Sequence, residues 1–204
     1  YERAQTLNGR FREIEAQRLA ALLRQWLDIE RQRAPFRLQT AERETTLKLG
    51  GLELGGRIDR IDTLEDGRCA ITDYKTGQPK IRNWEGERPD EPQLPAYAVG
   101  RDPPLPVAAL LFAQLRPGEG FGFKGLAALD GVAPNVKAAD DWQAQLSAWR
   151  TTLDKLADDF RRGDARVAPK QFPRTCEYCR LTALCRVHEQ GIAPAESDAE
   201  NGDD

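Results

Sequence analysis

From Phe36 to Leu64 apolar and polar residues alternate about Gly50-Gly51, and a third short strand pattern follows Asp66-Gly67. Alternation is the period of a strand with one buried face, and both dipeptides are of the kind that closes a tight hairpin. The pattern predicts strands over about 37–49, 52–63 and 68–74, joined as consecutive antiparallel neighbours. Downstream, Val107–Leu115 is a continuous apolar run of the length of a buried central strand, and Phe121–Leu129 reads as its antiparallel neighbour.

Helical spacing brackets and interrupts these strands. Residues 8–33 carry Phe11, Ile14, Leu19, Leu22, Leu23, Trp26, Leu27 and Ile29 on a charged background and stop before Pro35. This helix is expected to cover a sheet. A second, from Glu91 to Gly100, has Leu94, Tyr97 and Ala98 on one side and Pro95 in its first turn. Between Asp140 and Arg162 the apolar positions Trp142, Leu146, Trp149, Leu153, Leu156 and Phe160 step by threes and fours, the mark of an amphipathic helix. Residues 78–90 form a polar loop rich in Pro and Gly. The order of elements predicts an α/β (α+β) fold with a central mixed sheet flanked by helices, and no internal repeat is present.

A chain of 204 residues is of ordinary size for one domain with its own core. One domain is expected over residues 1–188, with an N-terminal helix (1–35), a core (36–170) and a cysteine-bearing segment (171–188). Residues 189–204 carry six acids and no base, so they read as an acidic, disordered tail. The net charge of -3 resides there: residues 1–188 hold 27 acids against 30 bases, a mildly basic body that permits a nucleic-acid partner. The chain starts at Tyr1 and contains no Met, and reads as a piece of a longer polypeptide. It shows neither an apolar run of about 18 residues nor a basic and apolar leader. A G-x-x-x-x-G-K-[ST] loop is absent, so no ATP site is expected. A single terminal His leaves no Ser/His/Asp or Cys/His constellation, and aromatic residues at 7% are too few for a single-strand stacking platform.

Chemistry concentrates in Gly56-Arg57-Ile58-Asp59-Arg60-Ile61-Asp62 and Ile71-Thr72-Asp73-Tyr74-Lys75-Thr76-Gly77. On alternating strands Arg57, Asp59 and Ile61 share one face, with Ile58, Arg60 and Asp62 on the other; Asp73 and Lys75 share a face of the next strand. Antiparallel pairing then places Asp59 beside Asp73 and Lys75. Two carboxylates are hard oxygen ligands for Mg²⁺ or Mn²⁺, the Tyr74 carbonyl could add a further oxygen, and the Lys75 ammonium can stabilise developing phosphate charge. The competing reading is a hairpin edge with surface ion pairs, because D-x-K alone arises often by chance.

With Gln93-Leu94-Pro95-Ala96-Tyr97 added, GRIDRID and DYKTG resemble the PD-(D/E)xK nuclease superfamily, and more narrowly RecB-like and AddB-type C-terminal nuclease domains of DNA repair proteins, over roughly residues 36–188. The resemblance implies a restriction-endonuclease-like core and a Mg²⁺- or Mn²⁺-dependent deoxyribonuclease. It makes Asp59 and Asp73 metal ligands and Lys75 the catalytic lysine. Gln93 and Tyr97, one helical turn apart, would orient the site or contact the DNA backbone. An upstream acid would join the metal shell, with Glu44 the better match and Glu42 its rival. It further implies DNA as substrate, a helicase subunit or domain as partner, and no membrane association. The histidine that family members usually carry ahead of the first strand has no counterpart in these 204 residues, whose only one is His188; either the segment that bears it lies outside this piece or this branch lacks it.

Cys176, Cys179 and Cys185 follow Pro173 at spacing C-x2-C-x5-C. Without an export signal they suit a reducing, cytoplasmic compartment and metal ligation rather than disulfides. They resemble the C-terminal iron–sulfur staple of AddB-type nucleases, a [4Fe–4S] cluster whose fourth cysteine lies well upstream of the nuclease domain. His188 leaves a Cys₃His zinc site open as an alternative. Cys69 reads as a small strand residue. Against the enzyme stands a non-catalytic scaffold that keeps the fold and binds DNA or a helicase.

Overall fold

The computed structural model describes residues 9–189 apart from 103, 117 and 119, together with residue 191. The acidic tail lies almost wholly outside the described residues. The chain forms two compact units, residues 1–158 and 159–204.

The first unit is built on a seven-stranded sheet. Helix α1 (Gly9–Glu30) leads into β1 (Phe36–Leu49), β2 (Leu52–Leu64) and β3 (Cys69–Lys75); α2 (Gln93–Gly100) follows, then β4 (Arg101–Asp102), β5 (Val107–Gln114), β6 (Gly122–Ala127), β7 (Lys137–Ala138) and α3 (Trp142–Arg161). Strand order is β4-β1-β2-β3-β5-β6-β7. All neighbours are antiparallel except β3 with β5 and β6 with β7, which makes the sheet mixed as expected. The parallel β3–β5 step is possible because α2 crosses between them, the connection a parallel pair requires.

Both predicted turns form. Gly50 (φ 50°) and Gly51 (φ 78°) close β1 onto β2, and Gly67 (φ 80°) closes β2 onto β3. Gly50 also has no room for a side chain, since a Cβ there would lie 2.3 Å from the Asp154 carbonyl oxygen, and its N–H donates to Asp154 Oδ1 at 2.8 Å. Thus the hairpin tip docks on α3.

The core divides between the two faces. One cluster joins Ile58, Ile61, Ile71, Leu94, Tyr97, Leu110 and Phe112 to Trp84, Trp142 and Trp149, beneath α2 and α3. The buried indole N–H groups of Trp142 and Trp149 donate to the carbonyls of Val107 (2.9 Å) and Trp84 (3.0 Å), which makes burial of these large rings tolerable. On the opposite face Trp26, Ala70, Ala109, Leu111, Ala113 and Phe123 form the second cluster.

Two helical expectations need correction. Helix α1 does not cover the sheet along its length: only Trp26 and Glu30 are buried, while Phe11, Ile14, Leu19, Leu23 and Leu27 are 45–56% exposed. Its C-terminal end is held by charge. Arg33, just past α1, has a fully buried side chain and donates to Asp62 Oδ2 at 2.8 Å and Glu30 Oε2 at 3.2 Å. Arg60 completes the network with Asp62 (2.8 Å) and Glu30 (2.8 Å), and both guanidinium groups stack on Phe36. Phe160, assigned by spacing to the apolar stripe of α3, is 76% exposed.

The second unit carries short turns, Arg174–Cys176 and Val187–Glu189, around the four-residue helix α4 (Thr182–Cys185). In that unit the His188 ring packs edge-on against Phe172.

Candidate active site

The β2–β3 ladder runs from Thr63↔Cys69 to Arg60↔Thr72 and stops there. Past that point the Asp59 side chain takes over from the backbone: its Oδ2 accepts the Tyr74 N–H at 2.9 Å. Strict alternation fails at this place, contrary to the sequence expectation. Ile58 and Ile61 lie three apart and belong to one core cluster, while Arg60 and Asp62 turn to the α1 network. On β1 the matching irregularity is Glu42, at φ 51° and outside the ladder between Ala41↔Arg60 and Arg43↔Ile58. Where the ladder ends, the Asp59 carboxylate thus reaches the end of β3.

Asp73 sits at the buried end of the same gap, 5% exposed. Lys75 Nζ approaches its Oδ2 to 2.7 Å, an ion-pair contact whose direction does not make a proper hydrogen bond, so that oxygen has no directed partner. Burial pushes the Asp73 carboxyl above its usual range; Lys75 opposes the shift and the negative charge of Asp59 adds to it. Raised carboxyl affinity for a proton, relieved by a nearby cation, is the behaviour of a group built to meet positive charge.

The D-x-K triplet is continued by α2. Lys75 Nζ lies 3.5 Å from Gln93 Oε1, Gln93 Nε2 lies 3.4 Å from the Tyr97 hydroxyl, and that hydroxyl donates to the Arg57 carbonyl at 2.7 Å and accepts from the Arg57 N–H at 3.2 Å. Lys75 is thereby connected back to β2 through one turn of helix. The ring of Tyr97 also explains Gly56: a Cβ there would lie 2.7 Å from Tyr97 Cε1.

Tyr74 has two contacts that sequence reasoning did not anticipate. Besides its N–H to Asp59, its hydroxyl accepts from Arg60 Nη1 at 3.0 Å, and its ring meets Trp26 edge-on. Burial alone would lower the affinity of Arg60 for its proton; Asp62 and Tyr74 outweigh it and hold the guanidinium charged. No local signal marks Arg60 or Arg33, because their partners come from another element.

The structure gathers Asp59, Asp73, Lys75, Gln93 and Tyr97. Glu44 faces Arg57 across the β1–β2 ladder and lines an open groove of about 730 Å³ with Arg43, Arg57 and Arg101. Glu42 forms an ion pair with Arg57. Among the described residues no three His, Cys, Asp or Glu side chains stand together as a metal-binding group. The donor set still suits a hard divalent ion, which protein sites often hold through one or two carboxylates: two carboxylates are present, one with an oxygen lacking a directed partner. Cys69 is buried, donates to Gln39 Oε1 at 3.4 Å, and has its thiol pushed up by burial, as befits a protonated strand residue. Cys176 and Cys185 are half-buried and Cys179 is exposed.

This arrangement agrees with the comparison to known families. The family model of the PD-(D/E)XK nuclease superfamily matches residues 2–186. The chain belongs to that superfamily. As a member of the PD-(D/E)XK superfamily it has the nuclease and metal-binding character of the group, and its mixed sheet flanked by helices is the restriction-endonuclease-like architecture. No curated protein matches the chain. Among the described residues no helix is long and apolar enough to cross a membrane.

Proposed function

We propose that the chain is the nuclease domain of a RecB-like, AddB-type DNA repair or recombination protein, a Mg²⁺- or Mn²⁺-dependent deoxyribonuclease. The observation that carries the reading is the meeting of Asp59, buried Asp73 and Lys75 where β2 and β3 part. Asp59 and Asp73 would hold the cation, with the Tyr74 carbonyl as a further oxygen. Bound there, the ion supplies Lewis acidity toward a phosphodiester. The chain's own contribution is charge and position. Lys75 presents its ammonium to the oxyanion that develops on the scissile phosphate, a charge preorganised by Asp73 and Gln93. Tyr97 anchors Gln93 to β2, so the lysine is oriented by a chain of contacts rather than by its own flexible stem. DNA is the substrate class, recognised through its phosphates and therefore without base specificity.

Cys176, Cys179 and Cys185 are read as ligands of a [4Fe–4S] cluster completed by a cysteine from elsewhere in a longer polypeptide, with a helicase subunit or domain as partner. Cys₃His zinc ligation with His188 is the alternative. Anaerobic purification followed by visible absorbance and iron and zinc analysis decides between them.

A scaffold that keeps the fold without cleaving is favoured by one observation: no third ligand joins the two carboxylates among the described residues. The deciding experiment incubates linear and single-stranded DNA with the protein and Mg²⁺ or Mn²⁺, beside Asp73→Ala. Cleavage by the first and not the second is expected; equal behaviour of the two would refute the catalytic reading.

A further inference from the structure

Gln114 ends β5 with no exposed surface, and both its amide nitrogen and its amide oxygen lack a hydrogen-bond partner. An amide left unmet in the interior carries an uncompensated desolvation penalty, so its retention asks for an occasional partner. Its position identifies one. Gln114 is the register partner of Lys75 in the parallel β3–β5 pair, and the Leu115 N–H donates to the Lys75 carbonyl at 2.8 Å. Strands so paired run about 4.8 Å apart. The two side chains share a face: Phe112, two residues before Gln114, belongs to the cluster under α2 and lies with its ring centre 5.9 Å from Lys75 Nζ. The amide is confined from the other side by Gly120, where a Cβ would lie 3.1 Å from Nε2 and 3.2 Å from Oε1.

Lys75 has three N–H donors. Gln93 Oε1 accepts one at 3.5 Å, while Asp73 holds the ammonium by an ion pair at 2.7 Å. A cation on Asp73 competes with that ion pair, and the ammonium must then find another acceptor or be driven off by like charge.

We infer that Gln114 is a positioning residue whose Oε1 receives the Lys75 ammonium when Asp73 engages a divalent cation. Lys75 is then cradled between the carbonyls of Gln93 and Gln114, still charged and still beside the reacting phosphate. This rests on the reading of Asp73 as a cation ligand, and it assigns to the displaced lysine the unmet acceptor of its own register partner.

The test has an arm that needs neither cation nor cleavage. In Asp73→Asn the ion-pair partner is gone, and Lys75 should fall back on the two amides. Its side-chain ammonium protons, followed by ¹⁵N-edited NMR, should then exchange with water roughly tenfold more slowly than in Asp73→Asn/Gln114→Leu, the factor expected for one hydrogen bond to a charged group. Equal exchange in the two variants overturns the inference whether or not the protein cuts DNA. In the second arm, Mn²⁺ titration by calorimetry should show roughly tenfold weaker binding for Gln114→Leu than for the unaltered protein. Gln114→Glu, which keeps an acceptor for Lys75, should retain the affinity. Gln114→Leu should be no less stable to urea than the unaltered protein, since it removes an unmet amide; weaker Mn²⁺ binding accompanied by matching loss of stability in both Gln114 variants would assign Gln114 to the core alone. Intact Mn²⁺ binding and slow exchange without DNA cleavage would sink the nuclease reading and leave the role of Gln114 standing.

Discussion

Two adjacent glycines make opposite predictions. Gly55 and Gly56 both lie in β2, neither at positive φ, yet a Cβ on Gly55 meets nothing within 4 Å while one on Gly56 would sit 2.7 Å from Tyr97 Cε1. Gly55→Ala should therefore be neutral or stabilising by about 0.5–1 kcal/mol, the entropy a strand glycine surrenders on folding. Gly56→Ala must displace a ring that is 5% exposed and packed beneath α2. Overpacking of this kind costs about 1–3 kcal/mol. A shift of the ring also strains the two hydrogen bonds between the Tyr97 hydroxyl and Arg57, each worth about 0.5–1.5 kcal/mol. Ring displacement and partial loss of those bonds together give about 2–4 kcal/mol. At this chain length each kcal/mol moves the melting temperature by about 2–4 °C, so a difference of about 2–5 kcal/mol should separate the two variants by about 4–20 °C. Urea denaturation gives the free energies directly. A third variant ties the effect to its cause: in a Tyr97→Ala background Gly56→Ala should lose most of its penalty, because the atom it collides with is gone. If Gly56→Ala proves as stable as Gly55→Ala, or if its penalty persists without the Tyr97 ring, the account of Gly56 as the seat of that ring is wrong.

Asp73→Asn should abolish cleavage yet raise stability at neutral pH. The folded carboxyl holds its proton to a higher pH than the unfolded one, so ionisation disfavours the fold as pH rises through that window, and the gain from Asn should vanish below the unfolded value of 3.8. Thermal melts of both proteins at pH 7 and pH 3 check this. For the same reason, cleavage by the unaltered protein should decline on acidification at a pH above the ordinary carboxylate range, visible in a pH–rate profile. Lys75→Met should lower the cleavage rate by about 10²-fold or more with little change in melting temperature, since Lys75 is one-third exposed and its role is charge. Arg33→Met leaves the buried Asp62 and Glu30 to share Arg60 alone and should cost up to about 3 kcal/mol in urea denaturation, whereas replacing Arg33, Asp62, Arg60 and Glu30 together by apolar residues of similar volume should recover much of that loss. EDTA should stop cleavage, and Mg²⁺ or Mn²⁺ should restore it.

Much of the sheet was legible because its signals are local. Gly50-Gly51 and Asp66-Gly67 close the turns where their spacing puts them, and the observed strands 36–49, 52–64 and 69–75 depart from the expected ones by a residue at their ends. The apolar run at Val107 is a fully buried strand. The meeting of Asp59, Asp73, Lys75, Gln93 and Tyr97 was legible for the same reason, since they fall on elements whose order the sequence declares. What failed was extrapolation of period. Apolar spacing along residues 8–33 identified a helix without saying what it covers, and most of that stripe remains exposed. Strict alternation put Ile58 and Ile61 on opposite faces, whereas both belong to one core cluster beside the irregularity at Glu42.

The sequence by itself determined the strands, their turns, the family, and which side chains carry charge in the motif. These depend on neighbours within a few residues, where sterics and hydrogen bonding are set by the local chain. Only the tertiary structure decided that Asp59 reaches the Tyr74 amide, that Glu44 faces Arg57, that Tyr97 dictates Gly56, and that Gln114 lies unmet beside Lys75. Each of those joins residues from separate elements, and such contacts are settled by strand order, register and twist, which the local code leaves undetermined.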